Sequence, residues 1–164
     1  MARGVALAGF MGVGKSTVGA ALAPRLGLPF VDLDRAVMTQ AGRTVSELFS
    51  CEGEAGFRRR EATVLRDVLD GDPVVLALGG GTLHYPGNLE AIQESCTVVS
   101  LLMPLDDIKD RLGPEDDARP LWSDAEARFA QREAGYRSAD MCVDVAGLTV
   151  QEVVESIQRS LQCR

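Results

Sequence analysis

The sequence is poor in the side chains that usually hold transition metals or build disulfide frameworks. Among its 164 residues it has one histidine, His84, and four cysteines that are widely spaced and form no C-x-x-C pair. A zinc site or a Ser-His-Asp triad would have to depend on that single histidine, which argues against both. Scattered, unpaired thiols are typical of proteins in a reducing compartment.

Long apolar runs and positive charge are also scarce. No run in the sequence approaches the roughly 20 apolar residues that cross a bilayer. The net charge of −7 would repel nucleic-acid backbones and anionic membranes. We therefore expect a cytoplasmic monomer in which residues 1–164 form one domain, with neither nucleic acid nor a membrane as partner. Local cations then have to hold any anionic ligand.

Five short apolar runs alternate with helical patterns along the chain. The runs read GVALAGF, LPFVDLD, PVVLALGGG, CTVVSLLM and MCVDVAG. Strands that alternate with helices are typical of a doubly wound α/β fold, so we predict a parallel five-stranded sheet. Thr44 with Glu47, and Thr149 with Glu152, have the spacing of a capping box, which predicts that a helix begins after each threonine.

The stretch GFMGVGKSTVG follows the first run and carries the pattern G-x-x-x-x-G-K-[ST] through Gly9, Gly14, Lys15 and Ser16. Glycines let the backbone wrap N–H groups around phosphate oxygens, and the start of the next helix adds a positive dipole end. In such loops the lysine reaches the β- and γ-phosphates and the serine binds Mg²⁺. The pattern predicts a loop over residues 9–17 that binds ATP or GTP. Its expected nucleotide-binding residues are Gly12, Val13, Gly14, Lys15, Ser16 and Thr17.

Two acids, Asp32 and Asp34, end the second apolar run. Residues two apart project to the same face of a strand, so we predict that the two carboxylates converge. The carboxyl end of a parallel strand borders the crevice where α/β sheets bind ligands. One carboxylate would there hold Mg²⁺ and the other would orient a hydroxyl nucleophile. The alternative is a solvated strand end or a helix cap.

The rest of the chain narrows the class of phosphate-loop protein. A GTPase switch would need an Asn-Lys-x-Asp motif to read the base, and the sequence has none. A mechanical ATPase usually carries an acid at the end of its Walker B strand, whereas the third run here ends in glycines. A small-molecule kinase is the class that remains.

Six stretches, in this order along most of the chain, resemble shikimate kinases. They read GFMGVGKSTVG, FVDLD, ELFSCEGEAGFRRRE, GGGTL, ARPLW and REAGYR. The resemblance implies a three-layer phosphate-loop NTPase fold of the nucleoside-monophosphate-kinase type, with a mobile lid. It also implies transfer of the γ-phosphoryl group of ATP, with Mg²⁺, to the 3-hydroxyl of shikimate. The products would be ADP and shikimate 3-phosphate, on the route to chorismate and the aromatic amino acids.

The same resemblance implies roles for the acids and for the lysine of the loop. Asp34 is expected to bind the shikimate hydroxyls and to orient or deprotonate the attacking one, within a shikimate-binding region over about residues 32–61. Asp32 is expected to hold Mg²⁺ together with Ser16. Lys15 would act on the transferred phosphate.

Two arginines and a glycine turn complete the acceptor site that the resemblance implies. Arg58 and Arg137 would clamp the shikimate carboxylate, because guanidinium forks suit that planar anion. From the residues alone, Arg58 could equally form a surface pair with Glu61. Three glycines would bring backbone N–H groups close to the substrate, or would form a simple turn. They are Gly79, Gly80 and Gly81.

The nucleotide side of the implied site depends on two further arginines. Arg119 would reach over the phosphates from a lid at about residues 112–123, or would be incidental to a mobile loop. Arg111 would flank the adenine, or would be an ordinary charge on a helix surface. The loop after the last run reads VAGLTV where the family commonly has Asn-Pro. A gluconate-kinase-like enzyme and a catalytically silent ATP-binding protein are the alternative functions.

Overall fold

The protein is described by a computed structural model over residues 3–113 and 124–163. Five strands form one sheet, and every neighbouring pair is parallel. The predicted parallel five-stranded sheet is therefore confirmed. The strands are β1 (Gly4–Ala8), β2 (Phe30–Asp32), β3 (Val75–Ala77), β4 (Cys96–Leu102) and β5 (Met141–Asp144). They lie in the order β2-β3-β1-β4-β5.

Helices connect the strands, as the alternating pattern predicts. Both capping boxes are confirmed: Thr44 precedes the helix Val45–Leu69 and Thr149 precedes the helix Val150–Gln162, and each threonine exchanges hydrogen bonds with the glutamate three residues on. None of the helices within the described ranges is long and apolar enough to cross a membrane. The helices are α1 (Lys15–Leu26), α2 (Leu33–Ala41), α3 (Val45–Leu69), α4 (Asn88–Ser95), α5 (Leu105–Leu112), α6 (Ala125–Arg137) and α7 (Val150–Gln162), with a 3₁₀ turn at Thr82–His84.

The sheet is buried on both faces, which makes the fold three-layered. Along β1, Ala6 and Ala8 pack into one apolar cluster, while Val5 and Leu7 pack into the other. The first cluster lies against α2, α3, α4, α5 and α6, and the second against α1 and α7. Burial on both faces explains why the strands read as continuous apolar runs rather than as alternating ones.

The helix α2 begins earlier than the sequence suggests, and this corrects the placement of Asp34. The strand β2 ends at Asp32, whose Oδ1 accepts a hydrogen bond from the backbone N–H of Arg35 at 3.1 Å. Asp32 therefore caps α2, and Asp34 lies in its first turn rather than on a strand. The two acids are brought together by a strand-to-helix turn instead of by strand periodicity.

The helix α3 joins two helical patterns that are separate in the sequence. A kink divides it at Gly53, where φ is 69° and ψ is 179°, a backbone conformation that favours glycine. The first half carries the Thr44 capping box, and the second half carries Phe57, Arg58 and Glu61. Glu54 directly follows the kink, and its Oε1 lies 3.8 Å from Arg58 Nη2.

Candidate active site

The phosphate loop joins the end of β1 to the start of α1. Gly9, Gly12 and Gly14 all have positive φ, and Gly14 precedes the first residue of the helix. Lys15 is buried, and its Nζ donates to the carbonyl oxygens of Gly9 at 2.8 Å and of Phe10 at 3.0 Å. Burial lowers the pKa of Lys15 to about 8, opposed by the negative charges of nearby Asp34 and Asp32. The ammonium group therefore lies folded against its own loop.

Ser16 and Asp32 meet at the start of α1. The Ser16 hydroxyl donates to Asp32 Oδ2, while Oδ1 of the same carboxylate caps α2. Both side chains are hard oxygen ligands, and Mg²⁺ at such sites usually takes one or two protein oxygens and keeps several waters and phosphate oxygens. Within residues 3–113 and 124–163, no three His, Cys, Asp or Glu side chains form a metal cluster. A hydroxyl and one carboxylate beside a phosphate loop fit Mg²⁺ that arrives with a nucleotide.

A cleft of about 390 Å³ opens over the loop. It brings together most of the nucleotide-binding and metal-binding residues expected from the sequence. Val13 is buried beside it, and its carbonyl oxygen accepts a hydrogen bond from Arg111 Nη1 at 3.3 Å. The lining residues are Met11, Gly12, Gly14, Lys15, Ser16, Thr17, Asp32, Asp34, Leu78, Gly80, Arg111 and Leu112.

Asp34 faces a second acid across Gly79. A Cβ added to Gly79 would collide with Glu61 Oε1 and would lie 3.1 Å from Asp34 Oδ1. Burial, followed by the negative charge of the neighbouring Glu61 carboxylate, raises the pKa of Asp34 to about 6, against the opposing positive charge of Lys15. The pKa of Asp34 therefore lies closer to neutral pH, where a carboxylate is an effective general base.

Glu61 is a buried carboxylate that connects Arg58 to the turn after the third strand. It is fully buried, and it pairs with Arg58 Nη1 at 2.8 Å and accepts from Thr82 Oγ1 at 2.7 Å. The buried amide of Asn88 in turn donates to the carbonyl oxygen of Thr82 at 2.9 Å. The surface pair considered for Arg58 and Glu61 thus exists as a pair, but it is buried rather than solvated.

The second arginine beside Arg58 is Arg132, not Arg137. A Cβ added to Gly81 would lie 2.7 Å from Arg58 Cζ and 2.9 Å from Arg132 Nη2, so both guanidinium groups converge on this glycine. Arg132 is 7% exposed. Arg137, on the last turn of α6, has a side chain that is 62% exposed and that pairs with Glu133 at 3.0 Å. We therefore replace Arg137 by Arg132 in the candidate site.

The helix α6 is fixed to the glycine turn by Tyr136. The buried Tyr136 hydroxyl donates to the carbonyl oxygen of Gly80 at 2.5 Å, and burial raises the pKa of this tyrosine to about 12. One turn earlier, Arg132 shares the buried face of the helix. Arg132 lies four residues before Tyr136, so the two side chains share one face of the helix. This spacing is the signal in the sequence that distinguishes Arg132 from Arg137.

The predicted lid falls mostly outside the described part of the chain. Helix α5 carries Arg111 and ends at Leu112, and Arg119 lies in the undescribed segment 114–123. Arg119 and the lid therefore remain predictions from the resemblance.

Replacing Gly81 with alanine should weaken acceptor binding. Gly81 has φ of −107°, so the backbone tolerates alanine there, but the added Cβ would displace the ends of Arg58 and Arg132. Losing one charge-assisted hydrogen bond to the acceptor would raise its KM by about tenfold or more. Steady-state kinetics of Gly81→Ala should show this rise, with little change in the melting temperature.

Gly71→Ala is the matched control, because its Cβ would lie 3.4 Å from its nearest neighbouring atom, the carbonyl oxygen of Val68. Equal acceptor KM values for the two variants would contradict the placement of the two guanidinium groups.

Comparison with known proteins agrees with this geometry. The shikimate kinase family profile matches residues 11–162. A shikimate kinase of Symbiobacterium thermophilum is 42% identical over 170 residues, covering 98% of this chain and 97% of that protein. The structure of shikimate kinase from Acinetobacter baumannii in complex with shikimate has a TM-score of 0.93 at 30% identity, covering 98% of this chain and 93% of that one.

A gluconokinase from Sinorhizobium meliloti, with a TM-score of 0.58 at 16% identity over 93% of this chain and 87% of that one, shares the fold alone. The phosphate loop, the acid beside it and the family match lead to one conclusion: the chain belongs to the shikimate kinase family of ATP-dependent small-molecule kinases.

Proposed function

We propose that this chain transfers the γ-phosphoryl group of ATP to the 3-hydroxyl of shikimate. The observation that carries the proposal is the meeting of Asp34, Arg58 and Arg132 around the glycine turn next to the phosphate loop. Two guanidinium groups suit a carboxylate, and a carboxylate near the loop suits a hydroxyl. A polyhydroxy acid such as shikimate offers both groups.

In this proposal the nucleotide phosphates lie on the loop formed by residues 9–17. Gly12, Gly14 and Thr17 line the cleft there, and Lys15 exchanges its loop carbonyl partners for phosphate oxygens. Ser16 and Asp32 would hold Mg²⁺, which supplies positive charge to the phosphates when bound. Arg111 would lie beside the nucleotide base and Arg119 over the phosphates.

Asp34 then orients the attacking hydroxyl and accepts its proton. The bond from the hydroxyl oxygen to the γ-phosphorus forms as the bond to the β,γ-bridging oxygen breaks, and ADP leaves. Arg58 and Arg132 fix the other end of the acceptor through its carboxylate. Positioning of both substrates accounts for most of the catalysis in phosphoryl transfer.

We also propose that the enzyme acts as a cytoplasmic monomer. Among the described residues, Leu148 is the large hydrophobic side chain that is exposed, at 44%, so no wide apolar patch needs a partner. Sedimentation of the purified chain at micromolar concentration would test the monomer directly.

The function is tested by ADP release from Mg·ATP with shikimate, with gluconate, or with no acceptor. Release that depends on shikimate supports the proposal. Release with gluconate alone would change the acceptor but retain the kinase activity. ATP binding without acceptor-dependent release would instead favour a silent nucleotide-binding protein.

The pH profile of kcat/KM for shikimate should follow the titration of Asp34. Because burial raises the pKa of this base to about 6, we expect kcat/KM to fall about tenfold per pH unit below pH 6. Initial rates from pH 5 to 8, at constant ionic strength, would show that limb. A profile that stays flat down to pH 5 would argue against Asp34 as the base.

A further inference from the structure

A third arginine, Arg128, adjoins the proposed carboxylate site and has no role in the mechanism above. It lies one turn before Arg132 on α6, and its side chain is 18% exposed. Its Nη1 and Nη2 donate to Glu54 Oε1 and Oε2 at 3.0 and 3.1 Å, so the guanidinium and the carboxylate form a two-pronged pair. Nε of Arg128 is buried without a hydrogen-bond partner within the described residues. Among the described residues, the two hydrogen bonds to Glu54 therefore orient the guanidinium group of Arg128.

Glu54 is close enough to compete with an anionic substrate. Its Oε1 lies 3.8 Å from Arg58 Nη2 and 4.0 Å from Arg132 Nη2. These distances are ion-pair distances, but they are about 1 Å too long for hydrogen bonds. A carboxylate at this point is the same chemical group that the two arginines are proposed to bind. A small rotation would let Glu54 take the place of the acceptor.

Two features favour such a rotation unless something restrains it. Glu54 directly follows the kink at Gly53, and its side chain is 40% exposed, so packing does not fix its position. The hydrogen bonds from Arg128, followed by the charges of all three arginines, keep the pKa of Glu54 below its usual range. Glu54 therefore stays ionised at neutral pH, and the fork from Arg128 is the contact that restrains it.

We propose that Arg128 is a positioning residue that holds Glu54 away from Arg58 and Arg132, leaving both guanidinium groups open to the acceptor carboxylate. The inference rests on the proposed function. The charges of the cluster support it as well. Three arginines carry three positive charges and Glu54 and Glu61 carry two negative ones, which leaves a net charge of +1 to attract the substrate carboxylate. Removing Arg128 would cancel that charge as well as release Glu54.

The test compares kcat and KM for shikimate, at saturating Mg·ATP, in the full-length wild type and three variants. For Arg128→Met we expect KM to rise about tenfold, with kcat within about twofold of wild type. Arg128→Lys keeps the charge but loses the fork, so its KM should be intermediate. The double variant Glu54→Gln/Arg128→Met removes the competitor too and should return KM to within about threefold of wild type.

Rescue by the second substitution separates positioning from a merely structural role. If Arg128 only stabilised the fold, Arg128→Met would lower the melting temperature and the double variant would not recover KM. An unchanged KM in Arg128→Met, or an equal rise of KM in the single and double variants, would overturn the inference. The proposed function would still hold in that case, provided that the wild type phosphorylates shikimate. Absence of shikimate turnover in the wild type would overturn both.

Discussion

Replacing Asp34 with asparagine should lower kcat for shikimate phosphorylation by roughly 10²- to 10⁴-fold, the range for losing a positioned general base. Asparagine keeps the size and much of the hydrogen bonding of the side chain, but it cannot accept the proton of the attacking hydroxyl. The residue lies in the first turn of α2, beside the phosphate loop rather than within it. Mg·ATP binding, measured by calorimetry, should therefore be retained in the variant although its kcat falls.

The same variant should be more stable than the wild type above pH 6. Folding raises the pKa of Asp34 from 3.8 to about 6, mainly through burial, so the folded chain binds this proton more tightly than the unfolded chain. The carboxyl group therefore favours folding below about pH 4, and this contribution is lost as the pH rises through 6. Asparagine removes the cost of the buried charge. A lower melting temperature at pH 8, or an undiminished kcat, would contradict the role assigned to Asp34.

Replacing Arg132 with methionine should reduce kcat/KM for shikimate by roughly 30-fold or more, as for truncating one partner of a buried, charged hydrogen bond, which costs about 2–5 kcal/mol. The loss is expected mainly in KM, because Arg132 is proposed to bind the acceptor carboxylate, at a distance from the reacting hydroxyl. Methionine retains much of the side-chain volume at this buried position. Burial, followed by the positive charges of Arg58 and Arg128, lowers the pKa of Arg132, and methionine removes the buried charge that these effects oppose.

Arg137→Met is the matched control for this substitution. Arg137 lies on the same helix five residues later, but its side chain is mostly exposed and its partner is Glu133, so we expect kcat/KM within about twofold of wild type. The opposite result, a large loss for Arg137→Met and none for Arg132→Met, would return Arg137 to the site. Melting temperatures of both variants would show whether the loss comes from unfolding.

The sequence predicts the fold well because its signals are local. Apolar runs buried on both faces mark the strands, and the phosphate loop and the capping boxes mark where helices begin. The prediction that Asp34 lies on a strand was wrong because the local signal at this point is ambiguous. Asp32 ends its strand by capping the next helix, and a cap and a strand end look alike in the run FVDLD. The competing principle was helix capping, which prevailed over period-two alternation.

The acceptor site was harder to predict because it depends on contacts between distant parts of the chain. The stretch REAGYR offers two arginines, and motif order alone does not decide between them. Helix phase does, since Arg132 lies four residues before the buried Tyr136 and Arg137 lies one residue after it. The fork between Glu54 and Arg128 has no local signal, because 74 residues separate its partners. Such pairs become visible only once the sheet has brought α3 and α6 together.

The double role of Asp32 bears on the entropy of metal binding. One carboxylate oxygen accepts from the backbone of α2 and the other from Ser16, so the rotamer of this side chain is selected when the chain folds. For the Mg²⁺ site proposed above, the conformational freedom that a metal ligand usually loses on coordination is therefore lost on folding, before the ion binds. A glutamate at this position would keep the charge, but its longer side chain is a poor cap and would have to be immobilised afresh with each nucleotide that binds.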